Sequence, residues 1–425
     1  MLNLTTDAMA GNCSLDDIEL ATYPGADRVL ARYRHLIIDT HFQPIFSLSH
    51  RRPVGYEALM RASRADGTPV APVDVFAGSR DERGTVYLDR LCRDIHVRNF
   101  RTFARGSRWL FLNVNPTVVI RGREHGPYFE SMLQRHGISP HEIVVEITEE
   151  NIDDETLLED AVCYYKQLGC LVAIDDFGAG HSNFDRIWRI RPDIVKLDRS
   201  MIAQASTNPS VRRVIPNLVS LIHESGSLAL MEGVETGEEA LIAMDSGIDF
   251  VQGYYFAPPS PAPTSDKEYA CTIPRLCEDF RRFAEDERTR YQREISKYAE
   301  VFTRCAAAFS EGITLEQACG KMLFHSRTER CYVLDEHGRQ ISGNLTPPQR
   351  GRVDDPRFLP LRDASGATWF RRHYFRRAIS APGEVHVSRP YLSLTSATMC
   401  VTLSTMVTVA GQLRVVCCDL DWQGP

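Results

Sequence analysis

The apolar positions of this chain fall into short runs separated by longer stretches with helical spacing. Eight runs stand between residues 41 and 256: HFQPIFSL (41–48), PVGYEALMR (53–61), WLFLNVN (109–115), EIVVEIT (142–148), LVAIDDF (171–177), DIVKLD (193–198), LALMEGV (228–234) and FVQGYYF (250–256). Their length and their content of branched and aromatic residues are those of strands. Strands alternating with helices predict an α/β domain with a largely parallel sheet. Eight of them in this span predict a closed barrel.

The flanking text differs. Residues 1–25 are polar and acidic, and a loose arm with one short helical turn is expected there. After the last run, APPSPAPTSDKE (257–268) is rich in proline and serine and marks a domain exit. Apolar residues then recur at Leu276, Phe280, Phe283, Tyr291, Ile295, Tyr298, Phe302 and Phe309, mostly three or four apart, with a densely charged opposite face. This predicts an amphipathic helix, either paired in a homodimer or packed on its own domain. From about residue 313 a small α+β domain with a mostly antiparallel sheet is predicted. Its elements are a hairpin in CYVLDEHGRQISG (331–343), turning at Glu336-His337-Gly338, and strands in VHVSRPYLS (385–393), MCVTLSTMVTV (399–409) and QLRVVCCDLD (412–421).

In the first domain a pattern recurs in these runs, a polar residue at or just past the C-terminal end: Glu57, Asn113, Glu146, Asp175, Asp176, Lys196, Glu232 and Gln252. In a barrel these ends meet at one rim, where the chemistry of such folds is placed. Strand ends also turn polar simply because they meet water. Five carboxylates and a lysine among eight such positions exceed what that explains. Carboxylate and amide oxygens are hard ligands suited to Mg²⁺ or Mn²⁺. Asp175 and Asp176 are adjacent, and adjacent strand residues point to opposite faces. Both reach the rim only if the backbone turns there.

Composition narrows the class. Hydrophobic residues make up 43% of the 425 and charged residues 25%, with a net charge of −7. No long basic run is present, so polymeric nucleic acid is not an expected partner. The opening residues lack a basic n-region and an apolar h-region, and no run is long enough to span a bilayer, so no membrane partner is expected. The 12 cysteines show no CxxC pair and no zinc spacing. A cytoplasmic location with free thiols is the expectation.

The ordered motifs GYEALMR (55–61), NVN (113–115), EITE (146–149), DDFGAGHSN (175–183), KLDRS (196–200), EGVE (232–235) and QGYYF (252–256), preceded by QPI (43–45), resemble those of the EAL phosphodiesterase family over roughly residues 36–261. The resemblance implies a modified TIM-type (β/α)8 barrel and hydrolysis of cyclic di-GMP to linear pGpG with two Mg²⁺ or Mn²⁺ ions. A catalytically silent receptor for the same dinucleotide is the alternative. Carried over by motif, Glu57, Asn113, Glu146, Asp175 and Asp176 would ligate metal. Glu232 would act as base on the attacking water, and Lys196 would stabilise charge near the phosphate. Gln43, Arg61 and Gln252 would contact substrate. Glu149, Asp198 and Glu235 would support them, Glu149 by anchoring the loop after the double aspartate. The DFG triplet at 176–178 lacks the other kinase motifs. Departures from the family pattern lie in Met60, in the segment 73–90 bordering the cleft, in His181 and in Pro258.

The implied domains are a flexible arm (1–25), the barrel (26–266), a linker helix (267–310) and a C-terminal domain (311–425). The last is similar to PAS-like or Cache-type sensor domains. Trp369, Arg371, Tyr374, Arg389, Tyr391 and Asp419 are its candidate pocket residues; they either line a small-molecule site or are ordinary core and edge residues.

Overall fold

A computed structural model describes residues 14–422 except 80, 104–107, 122–127, 149–154, 181–183, 263–271, 349–360, 362 and 395–397. The chain divides into two compact units, Met1–Arg281 and Arg282–Pro425.

The first unit is built on eleven strands: β1 (Thr22–Pro24), β2 (Val29–Tyr33), β3 (Leu36–Ser47), β4 (Arg52–Arg64), β5 (Pro69–Val70), β6 (Trp109–Val114), β7 (Ile143–Thr148), β8 (Leu171–Phe177), β9 (Ile194–Leu197), β10 (Leu228–Met231) and β11 (Phe250–Val251). They pair in the order β1-β2-β3-β11-β10-β9-β8-β7-β6-β4-β5, and β3 also pairs with β4. That second pairing closes an eight-stranded barrel from β3, β4 and β6–β11. All eight apolar runs of the sequence are its strands. β3 runs antiparallel to both its neighbours. A turn of four residues joins it to β4, too short for the crossover that a parallel pair requires. This reversed strand is what modifies the barrel.

Strand alternation divides the barrel's residues. Ile45, Phe111, Val144, Ala173, Ile194, Leu230 and Phe250 form one buried cluster. Each stands two residues from a polar position named above: Gln43, Asn113, Glu146, Asp175, Lys196, Glu232 and Gln252. Residues two apart on a strand share a face. The polar residues therefore form a layer directly over an apolar plug inside the barrel. Gly55 holds the equivalent place below Glu57. A Cβ there would come within 2.7 Å of the Phe111 ring, so glycine makes room for that plug residue.

Residues 14–24 differ from the expected arm. Ser14 caps the helix Leu15–Ala21 through a reciprocal box with Asp17. Ile18 is fully buried in the barrel's outer core, and β1 pairs with β2. Leu15, Ile18 and Leu20 in so short and acidic a segment gave too little periodicity to predict this docking.

Helix Thr272–Ser310 is continuous over 39 residues. Ile273 and Leu276 belong to the core of the first unit. Phe302 and Cys305, with Ile295, Tyr298 and Phe309 partly buried beside them, belong to that of the second. The second unit's sheet contains β12 (Thr328–Asp335), β13 (His386–Val387), β14 (Tyr391–Leu392), β15 (Met399–Val409) and β16 (Gln412–Asp421). Its order is β12-β16-β15-β13, with β14 also on β15, and every pairing is antiparallel. Ala410 and Gly411 both have positive φ, 47° and 75°, as a two-residue hairpin turn with the sheet's own twist requires. The strand expected over 385–393 is split in two around Pro390, which has no N–H for a ladder. Among the described residues no helix is long and apolar enough to cross a membrane.

Candidate active site

The polar layer converges on Lys196. Its ammonium lies 2.7 Å from Glu146 Oε1, 2.7 Å from Glu232 Oε1, 2.9 Å from Asp175 Oδ1 and 4.0 Å from Glu57 Oε1. The side chain is 1% exposed. Register explains the convergence. Asn113 is directly opposite Glu146 on adjacent parallel strands, and Gln43 is opposite Glu57 across the reversed pair. Asn113 Nδ2 donates to Glu57 Oε1 at 3.0 Å, and Gln252 Nε2 donates to Glu57 Oε2 at 2.7 Å. Gln252 Nε2 also lies 3.2 Å from Gln43 Oε1, and Gln43 Nε2 donates to the Ala257 carbonyl at 3.1 Å. The two amides thus orient Glu57 and tie it to the last strand.

The double aspartate reaches the rim by a break in the β8–β9 ladder. Pairing is regular to Ile174 and resumes at Phe177, and Asp176 takes a left-handed φ of 57°. Such a bulge re-aims a side chain that would otherwise point outward. One oxygen each from Asp175, Asp176 and Glu232 consequently lies within 4.8 Å of the others. Gly178 follows with φ 102°, and a Cβ on it would meet Met201 Sδ at 2.5 Å.

Burial sets the protonation chemistry. Glu146 is pushed well above the usual carboxylate range by desolvation, which outweighs the opposing pull of Lys196. Glu232 is raised to about 8, again chiefly by burial, with Asp175 and Glu57 adding to the rise. For Lys196 burial works against the charge, but the surrounding carboxylates win and the ammonium is held well above its ordinary value. Glu146 Oε2 and Gln252 Oε1 are buried without a hydrogen bond, while Glu146 Oε1 faces the Lys196 ammonium. Buried oxygens without donors, among hard oxygen ligands, fit a divalent cation.

The remaining predicted residues sit differently. Arg61 shares the inner face with Glu57, two rungs nearer the mouth. It stands opposite Asp39 and donates to the Met60 carbonyl at 3.0 Å. Asp198 is a helix cap. Its carboxylate caps helix Arg199–Thr207 by accepting from Ser200 N–H at 2.9 Å. Glu235 is exposed, and its backbone N–H donates to Glu239 at 2.7 Å. Glu149 and His181 lie outside the described residues.

Sequence reasoning missed Asp89. It is buried in helix Glu82–Phe103, ion-paired with Arg93, and accepts from the Asn115 N–H at 2.9 Å. That bond holds the turn after β6, two residues past Asn113. Asp89 lies within the charge-dense segment 73–90, where nothing in the pattern distinguishes it from a solvated residue.

Fold and site together define a β/α barrel whose mouth carries a carboxylate-rich cluster bridged by a buried lysine. A model of the EAL domain matches residues 32–259, more than half the chain, and the chain belongs to the EAL domain family. It is 26% identical over 347 residues to the EAL-domain containing protein YkuI of Bacillus subtilis (strain 168), covering 79% of this chain and 82% of that protein. It is 28% identical over 251 residues to the cyclic di-GMP phosphodiesterase RocR of Pseudomonas aeruginosa, covering 57% of this chain and 63% of RocR. The match therefore spans less than two thirds of RocR. Among solved structures, the crystal structure of Bacillus subtilis YkuI in complex with substrate c-di-GMP and calcium superposes with a TM-score of 0.74. The two are 25% identical, with 91% of this chain and 97% of that one covered.

Proposed function

We propose that this chain hydrolyses cyclic di-GMP to linear pGpG with two divalent cations, Mg²⁺ or Mn²⁺, and that its C-terminal unit regulates the reaction. The observation that carries this reading is the gathering of Glu57, Glu146, Asp175 and Glu232 around Lys196, with Asp176 beside Asp175 and Glu232 at the barrel mouth. Burial favours the protonated forms of Glu146 and Glu232 in the metal-free site; cations that displace those protons would face five carboxylates and one ammonium, a charge of −5 + 1 = −4, which two divalent cations balance. The buried Glu146 Oε2, which accepts no hydrogen bond, supports the same conclusion.

Glu57, Asn113, Glu146, Asp175 and Asp176 would hold the cations. Bound there, they supply a water of lowered pKa and polarise the phosphoryl oxygens. Glu232, held near its proton-transfer range by burial, orients the water and takes its proton. Lys196 stabilises the negative charge that develops on the phosphoryl group. Arg61 forks onto a phosphate, and Gln43 and Gln252 contact the dinucleotide beside Glu57. The apolar plug beneath the site denies water a route from below.

The test is to incubate the purified full chain with cyclic di-GMP and Mg²⁺ or Mn²⁺, with EDTA as control, and to separate the products. Metal-dependent appearance of pGpG is expected. Saturable binding of cyclic di-GMP with no pGpG at any metal concentration would replace this reading with that of a silent receptor.

A further inference from the structure

In the second unit, helix His373–Ser380 opens against its own electrostatics. Residues 370–377 read FRRHYFRR, and over 364–383 four arginines stand without one carboxylate, a local charge of +4 in a chain of net −7. Arg371 and Arg372 lie at the helix's N-terminal end, where the backbone dipole favours anions. Arg372 and Arg376 are like charges one turn apart, which is also unfavourable. Nothing local offsets this. Arg372 occupies the N-cap and makes no side-chain cap bond. Among the described residues no carboxylate pairs with any of the four, whereas the same unit's buried Arg330 is matched by Asp419 at 2.8 Å. Trp369 N–H donates to the Gly338 carbonyl of the adjoining hairpin turn, and there the Glu336 carboxylate lies 3.6 Å from the His337 ring.

The inner face of the helix is ordinary. Tyr374, Phe375 and Ala378 are buried, with Trp369 and Tyr391 packed beside them. On the outside Arg371, Arg376 and Arg377 are exposed, and Arg372 is half-buried over the Tyr391 ring, 5.1 Å from its centroid. Two apolar side chains stand among these cations. Phe370 is 52% exposed and Ile379 39%. The Phe370 carbonyl accepts from Arg376 Nε at 3.4 Å, so the two residues lie side by side. A face that serves only to meet water mixes its signs, as helix Thr272–Ser310 does with Glu278 and Arg281, 3.7 Å apart. It also has no use for a phenyl ring in solvent. One sign of charge around exposed apolar side chains fits a partner that is anionic at its surface and apolar beneath.

We propose that this face rests on an anionic lipid bilayer, with headgroup phosphates meeting Arg371, Arg372, Arg376 and Arg377 while Phe370 and Ile379 enter the acyl boundary. A cluster of four arginines on an amphipathic helix suits anionic headgroups, and the guanidinium fork matches phosphate. The phosphates relieve both local costs, the cations at the helix N-terminus and the like charges one turn apart. The apolar pair separates a bilayer from a nucleic acid, whose phosphates cover no hydrocarbon. Such a contact is peripheral and needs neither a spanning nor a targeting segment.

The test is co-sedimentation of the full chain with two kinds of vesicle, equal parts phosphatidylglycerol and phosphatidylcholine, and phosphatidylcholine alone. The chain is expected to bind the first, to release it as salt is raised, and to ignore the second. Each arginine at such a surface contributes about fivefold, so Arg371→Gln, Arg376→Gln and Arg377→Gln together should weaken binding about 100-fold. Phe370→Ser should weaken it about tenfold. All four side chains are exposed, so both variants should unfold at the parent's temperature. Absence of binding to the anionic vesicles overturns the proposal, as does equal binding to both kinds. Binding that the triple variant or Phe370→Ser leaves unchanged overturns it too. So does an affinity for duplex DNA above that for the anionic vesicles with no loss in Phe370→Ser, which would assign the face to a polyanion.

Discussion

Replacing Lys196 by methionine removes the one cation around which the barrel's polar layer is organised while keeping most of the side chain's volume. At an effective dielectric of about 20, a unit pair at 2.7 Å attracts by about 6 kcal/mol and one at 4.0 Å by about 4. Most of this is cancelled by the cost of burying the ammonium and by repulsion among the carboxylates. The cancellation is incomplete, because the ammonium is held above its ordinary pKa despite complete burial. Breaking a buried pair from one side costs about 3–5 kcal/mol. In EDTA, Lys196→Met should therefore lower the melting temperature of the barrel by roughly 6–20 °C. A cation that binds only the folded site at one hundred times its Kd returns about 2.7 kcal/mol. Mn²⁺ should accordingly stabilise the variant, whose carboxylates have lost their internal counter-ion, more than the parent. The assay is thermal unfolding of both chains in EDTA and in saturating Mn²⁺. Equal melting temperatures in EDTA, or a gap that Mn²⁺ leaves untouched, would refute the view of Lys196 as the resident counter-charge of a cation site.

Three further outcomes follow from the structure. Asp89→Asn keeps an acceptor for the Asn115 N–H but leaves Arg93 without its charge; with Arg93→Met added to remove that orphan, the double variant should fold and bind Mn²⁺ about 10–100-fold more weakly, as loss of outer support for a ligand does, and titration calorimetry measures this directly. A chain ended at residue 268 loses Ile273 and Leu276 from the barrel core, each contributing about 1.5–3 kcal/mol of burial, so it should melt clearly below a chain ended at Arg281 in the same scan. His96, buried beside Thr40, is pushed down to about 3 by desolvation, with Arg93 and Arg61 adding to it; the fold keeps it neutral, so the stability is intact above pH 6.5 and declines as the pH falls from there towards 3. Denaturant unfolding should show about 2 kcal/mol lost between pH 7 and 5 from this residue, and His96→Gln should remove that share of the slope.

The sequence by itself determined the eight barrel strands, because each is a short apolar run bounded by polar text, and it placed Glu57, Asn113, Glu146, Asp175, Lys196, Glu232 and Gln252 at one rim. The physical reason is the period of two: a residue two steps beyond an apolar plug must share its face. It also carried the long hairpin of the second unit, whose turn residues Ala410 and Gly411 suit the positive φ that the turn demands. Tertiary structure alone decided what has no local period. The reversal of β3 depends on a four-residue turn, and the joint reach of Asp175 and Asp176 on a ladder break that no apolar pattern records. Asp89 is distinguished from its charged neighbours only by the loop that folds onto it. Arg330 and Asp419 lie 89 positions apart and become partners only when β12 and β16 pair, so their ion pair belongs to the register of the sheet.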